Sequence, residues 1–150
     1  PLALVDLPGY GFAKVPLAVK NEWQKELDTY LTRREALVGL VLLMDIRHPL
    51  KDFDTAMLTW AERSLMPVHI LLTKADKFKR GPAQAALMMV KKATAHMKNT
   101  VTAQTFSSTS GEGLQELQRH LSGWLQPVEN DVIRPIEAEP TSGNEPPLQG

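Results

Sequence analysis

Three short runs of this 150-residue chain are apolar at nearly every position: Leu2 to Asp6, Val38 to Met44 and Val68 to Leu72. A strand with one wet face alternates apolar and polar residues, whereas a strand covered on both faces has no reason to. The runs therefore predict three central strands of a parallel sheet with helices on both sides. The segments between them carry a helical period instead. Trp23, Leu27, Tyr30 and Leu31 recur at i, i+4, i+7 and i+8, and Phe53, Met57 and Trp60 at i, i+4 and i+7. After the third run come Leu87, Val90, Thr94 and Met97, introduced by Gly81-Pro82, where proline suits a first helical turn. Val101 to Phe106 is a more mixed stretch that suits a strand at the sheet edge, and Leu114, Leu117, Leu121 and Leu125 mark a last helix. The expected order is β-α-β-α-β-α-β-α.

Length and composition narrow the classes. A chain of this size with 43% hydrophobic residues supports one domain with a real core. The absence of cysteine excludes disulfides and thiolate zinc sites, and the four histidines, His48, His69, His96 and His120, show no paired metal-ligand spacing. The longest apolar run, Leu37 to Met44, is far short of the roughly 20 residues a membrane-spanning helix needs. No secretory signal opens the sequence, so a cytoplasmic protein is expected. Residues 126–150 hold Glu129, Asp131, Glu137, Glu139 and Glu145 against Arg134 alone, together with five prolines and little periodic apolar content. Such a segment cannot bury enough surface to offset the entropy of ordering, which predicts a disordered acidic tail after a domain spanning 1–125.

Ligands of open parallel sheets bind beyond the carboxyl ends of the strands. Three polar clusters fall there: Asp6-Leu7-Pro8-Gly9-Tyr10-Gly11 after the first run, Thr73-Lys74-Ala75-Asp76 after the third, and Ser107-Ser108-Thr109 after the fourth. Taken singly, each has an ordinary structural reading. Asp and Gly favour tight turns, Lys and Asp commonly open a helix, and Ser and Thr cap one. Their joint occurrence in this order, each at a strand end, points instead to one composite site.

D-x-x-G, [NT]-K-x-D and S-[AS]-x in this order resemble the third, fourth and fifth guanine-nucleotide motifs of Ras-like GTPases. The finer resemblance is to the EngB (YihA/YsxC) family, carried by V-D-L-P-G-Y-G-F-A at Val5 to Ala13, the helix with Trp23 and Tyr30, T-K-A-D-K at Thr73 to Lys77 and T-F-S-S at Thr105 to Ser108. It covers about residues 2 to 125. The fold it implies is the three-layer α/β/α sheet of the P-loop GTPases, present in part, as about the last four strands and four helices.

The resemblance implies roles residue by residue. Asp76 would accept from guanine N1–H and the 2-amino group together, which adenine cannot offer. The stem of Lys74 would lie over the purine face, the Thr73 hydroxyl would tie this loop to a neighbour, and Ala75 belongs to the same motif. Phe106, Ser107 and Ser108 would close over the base, a backbone N–H meeting guanine O6. Asp6 would hold Mg²⁺ through a water, while Leu7 and Pro8 lead to Gly9, whose N–H would meet the γ-phosphate. Tyr10 stands where Ras-type enzymes place a water-orienting glutamine; it either packs under a mobile loop or leaves water positioning to a bound partner, with slow unassisted turnover.

No G-x-x-x-x-G-K-[ST] segment is present, and the sequence starts at Pro1 directly on an apolar strand. The expectation is a truncated beginning with the phosphate loop and switch I upstream, and an isolated fragment that folds poorly. The family implies GTP and GDP as ligands, a monomer acting in assembly of the large ribosomal subunit, and a possible link to cell division. The alternative reading is a non-catalytic ribosome- or RNA-binding module using Lys74, Lys77, Lys79, Arg80, Lys91, Lys92 and Lys98. Asp76 separates the two readings, since a binder of RNA phosphates has no use for it.

Overall fold

The computed structural model describes Asn21, Glu22, Lys25, Thr29 and residues 37–125. The first apolar run, the D-x-x-G segment with Tyr10, and the tail after Leu125 lie outside the described residues. So do Trp23, Leu27, Tyr30 and Leu31. The four described positions among them are helical and exposed, and the Thr29 hydroxyl donates to the Lys25 carbonyl at 2.9 Å.

From residue 37 onward the elements run β1 (Leu40–Asp45), α1 (Asp52–Arg63), β2 (Val68–Thr73), α2 (Arg80–Thr94), β3 (Val101–Thr105) and α3 (Leu114–Leu125). The three strands form one parallel sheet in the order β1-β2-β3. β2 is therefore the central strand of the described sheet, and its burial at five consecutive positions, Val68 to Leu72, is the reason it is apolar there at every position but His69. β3 lies at an edge and carries the mixed sequence V-T-A-Q-T.

One face of the sheet holds the main core. Leu40, Leu42, Met44, Val68, Ile70, Leu72 and Ala103 pack there with Met57, Leu58 and Ala61 of α1 and Ala83 and Val90 of α2. Ile70 and Leu72 are wholly buried, each contributing on the order of 2 kcal/mol through removal of apolar surface from water. α1 starts where the Lys51 N–H donates to the Asp54 carboxylate at 3.0 Å, and burial pushes the Asp54 carboxyl above its ordinary range. The opposite face carries His69 and Leu71 of β2 and Thr102 and Gln104 of β3, and meets α3. There the His69 and His120 rings stack with centroids 3.8 Å apart, and Trp124 sets its edge against His120 at 4.8 Å. Trp124 also reaches back to the chain before β1: a Cβ on Gly39 would fall 2.6 Å from its ring, so a bare backbone is needed there.

Candidate functional site

The carboxyl ends of all three strands point to one edge, and the loops leaving them are bonded to one another. At the end of β2, Thr73 pairs in register with Asp45 of β1. The Thr73 hydroxyl donates to the Met44 carbonyl at 3.2 Å, which ties the second loop to the first strand. The Ile46 N–H donates to the Thr73 carbonyl at 3.0 Å from the other side.

Lys74 follows in a left-handed conformation, φ 59°, ψ 34°, which a residue with a Cβ rarely adopts. Such a turn at a strand end is a local strain of the kind that collects at ligand sites. It starts the short 3₁₀ turn Ala75–Lys77, in which Ala75 is buried and Asp76 faces solvent. The Ala75 N–H donates to the Phe106 carbonyl at 3.0 Å and the Phe106 N–H to the Leu72 carbonyl at 2.8 Å. The loops after β2 and β3 thus form one backbone-bonded unit.

Within it, the wholly buried Ser107 donates its hydroxyl hydrogen to the Asp76 carboxylate at 2.7 Å. That bond leads the causes that hold the Asp76 carboxyl below its ordinary value; desolvation opposes it, and Lys77 and Thr109 assist. Asp76 is consequently an anion with a fixed orientation and an open face. The Ser107 N–H is spent on the Glu112 carbonyl at 2.9 Å, the Gly111 N–H on the Ser107 carbonyl at 2.9 Å and the Ser110 N–H on the Ser107 hydroxyl at 3.2 Å. Among the described residues no partner meets the N–H of Ser108 or Thr109, both exposed, so these are the donors available to a ligand.

Two participants stand beside the expected residues. Asp45 ends β1, and its carboxylate receives the Arg47 backbone N–H at 2.9 Å and the Arg47 side chain at 3.0 and 2.7 Å. Lys74 Nζ lies 3.3 Å from the same carboxylate. Hydrogen bonding from Arg47 drives the Asp45 carboxyl far below the usual carboxylate range, against the pull of desolvation, with Lys74 adding to the effect. The strand-end rule that finds Asp76 finds Asp45 as well, once β1 is continued through Asp45. The structure brings Thr73, Lys74, Ala75, Asp76, Phe106, Ser107 and Ser108 together. Asp6, Leu7, Pro8 and Gly9 lie outside the described residues.

Among the described residues no three His, Asp or Glu side chains come together as a metal-holding group, and no helix is long and apolar enough to cross a membrane. The expected magnesium carboxylate, Asp6, is not among them.

No protein-family model matches the chain. It is 56% identical over 124 residues to the probable GTP-binding protein EngB of Alteromonas mediterranea, covering 83% of this chain and 58% of that protein. The protein of the same description from Acinetobacter baylyi is 57% identical over 122 residues, 81% of this chain and 52% of its own length. That of Vibrio parahaemolyticus is 46% identical over 142 residues, 95% and 65% respectively. The chain thus spans a little over half to about two thirds of the length of these curated relatives. Among solved structures, a crystal structure of a probable GTP-binding protein engB superposes with a TM-score of 0.62 at 15% identity, over 78% of this chain and 74% of the other. The apo translation elongation factor SelB of Methanococcus maripaludis gives 0.63 at 16% identity, over 82% of this chain and 25% of the other. The fold is that of the P-loop GTPases, a mixed α/β architecture on a parallel sheet, present in part.

Proposed function

Because this chain belongs to the EngB family of GTP-binding proteins, we propose that the edge formed by the β2 and β3 loops is the guanine-recognition half of a GTP- and GDP-binding site. The observation that carries this reading is the Asp76 carboxylate, exposed on one side and held on the other by the buried Ser107 hydroxyl at 2.7 Å. A fixed carboxylate accepts two roughly parallel N–H groups, and guanine presents such a pair at N1 and the 2-amino group. Ser108 and Thr109 supply free backbone N–H groups for the acceptor at O6. The Lys74 stem lies over the purine, its ammonium directed to Asp45.

The rest of the proposal follows the family. Asp6 would help hold a magnesium ion and Gly9 would meet the γ-phosphate, in a site that a phosphate loop would complete. Bound Mg²⁺ supplies charge neutralisation on the phosphates; the described residues orient and select the base. The whole protein then hydrolyses GTP to GDP as a cytoplasmic monomer, acting in assembly of the large ribosomal subunit, with a role in cell division as a further extension. The exposed Lys77, Lys79, Arg80, Lys91, Lys92 and Lys98 are available to ribosomal RNA.

The test is competition binding by the protein with its flanking coding sequence restored. Wild type prefers GDP to XDP. Asp76→Asn reverses the preference, because the amide NH2 offers xanthine's 2-oxo group a donor and leaves guanine's 2-amino group without its acceptor, a change of about 10⁴-fold in discrimination. A mutant that still strongly prefers GDP overturns the assignment.

A further inference from the structure

Gln104 is nearly inaccessible, at 1% exposure, on the β3 face that meets α3. Its amide nitrogen donates to two carbonyl oxygens, Gly113 at 2.8 Å and Thr105 at 3.1 Å. Its amide oxygen meets His69 Nε2 at 2.7 Å. The amide orientation is decided by this environment, since the flipped form would set its oxygen against two others. An amide oxygen only accepts, so His69 Nε2 carries the hydrogen. His69, itself 2% exposed, is held in turn by Thr102 at 2.7 Å through Nδ1 and by the stacked His120 ring.

The two carbonyls that Gln104 grips stand at the two ends of one loop. Thr105 is the last residue of β3 and Gly113 the last before α3, and between them run Phe106, Ser107 and the exposed Ser108 and Thr109. The mouth of this loop is built for close approach: Gly113 has φ +83°, and a Cβ there would sit 2.2 Å from the Thr105 carbonyl oxygen and 2.7 Å from Gln104 Nε2. No apolar side chain at position 104 reproduces the two donors that hold it.

We infer that Gln104, oriented by His69, is a positioning residue for nucleotide-base recognition: it clamps the mouth of the 106–113 loop and so holds Ser107, and through it the Asp76 carboxylate, in register with the base. This rests on the assignment of Asp76 to guanine. A purely structural role would lower stability and weaken all nucleotides alike. A positioning role changes the discrimination that Asp76 performs, which is read by comparing GDP with IDP, its analogue lacking the 2-amino group. The two share phosphates, ribose, N1–H and O6.

The experiment measures GDP and IDP dissociation constants for wild type, Gln104→Leu and His69→Phe in the protein with its flanking coding sequence. Circular dichroism confirms that each variant folds. Gln104→Leu lowers the GDP-over-IDP ratio about tenfold, the scale of one displaced charge-assisted hydrogen bond. His69→Phe keeps a stacked ring and loses the Nε2–H, and lowers the ratio about threefold by releasing the amide oxygen. If Gln104→Leu does not fold, His69→Phe decides alone. An unchanged ratio in the folded variants, with both ligands weakened equally, overturns the inference. A wild type that does not prefer GDP to IDP removes the guanine assignment beneath it, a different result from the first.

Discussion

The Lys74 ammonium lies 3.3 Å from the Asp45 carboxylate, which Arg47 already grips with its backbone N–H and two side-chain nitrogens. The Lys74 side chain is 56% exposed, so solvent screens this pair and its energetic weight is small. Its consequence is directional: the lysine stem is drawn across the site beside Asp76. Asp45→Asn is expected to weaken GDP binding by no more than about fivefold, and less at high salt, leaving the GDP-over-XDP preference intact. Titration at two salt concentrations checks this; a loss of preference would assign base selection to Asp45.

Ser107→Ala removes the donor that leads the lowering of the Asp76 carboxyl. A carboxylate with a depressed value stays charged until the pH falls through that value, so guanine binding is held well into acid in the wild type. In the variant the carboxyl returns toward its ordinary range, and GDP affinity begins to fall at a higher pH. At neutral pH a loss of about tenfold is expected from the missing charge-assisted bond. Affinity measured between pH 7 and pH 4 gives both numbers. Coincident pH profiles for wild type and variant would show that the hydroxyl does not govern the carboxylate.

Gly111 and Gly113 both have positive φ, +79° and +83°, but only Gly113 has neighbours within reach of a Cβ. Gly111→Ala should cost about 1 kcal/mol, the conformational penalty alone. Gly113→Ala adds a collision with the Thr105 carbonyl and should cost about 3 kcal/mol or more. Urea denaturation of the two variants, in the protein with its flanking sequence, separates them. Equal losses would mean the loop mouth opens freely.

Burial first, and the neighbouring His69 second, lower the His120 value, with Glu116 pulling the other way. A histidine depressed by folding binds more protons unfolded, so its contribution to stability is complete above the ordinary value near 6.5. It is lost as the pH falls through the lowered one. The thermal midpoint should therefore drop from pH 7.5 to pH 5.5, and His120→Gln should flatten that part of the profile. An unchanged slope in the variant would place the acid sensitivity elsewhere.

Much of the architecture was legible in order and period. The run Val68 to Leu72, apolar at all positions but His69, reads as a strand covered on both faces, and the mixed V-T-A-Q-T stretch reads as an edge because its sheet neighbours demand less. Thr73, Asp76 and Ser107 were legible for a related reason, since a polar residue directly after a buried parallel strand must lie at the ligand edge of the sheet. Asp45 obeys the same rule, but it lies one residue beyond the apolar run Val38 to Met44, so hydrophobicity alone does not place it at the strand end.

What local sequence could not supply was pairing across the sheet. Ser107 meets Asp76 across 31 residues, and His69 meets Gln104 across 35. In β2 alone, His69 looks like a polar interruption of an apolar run, and in β3 alone Gln104 looks like an edge residue facing water. Parallel register sets His69 opposite Thr102 and Leu71 opposite Gln104. That register is decided by which side chains fill the space between sheet and helices, a property of the packed chain and of no single segment. The sequence by itself determined the order of the described strands and helices and the residue types available near the strand ends. Only the tertiary structure decided that a buried histidine and glutamine on the far face would hold the loop that carries Ser107 to Asp76, because hydrogen bonds between distant segments exist only once packing has brought them within about 3 Å.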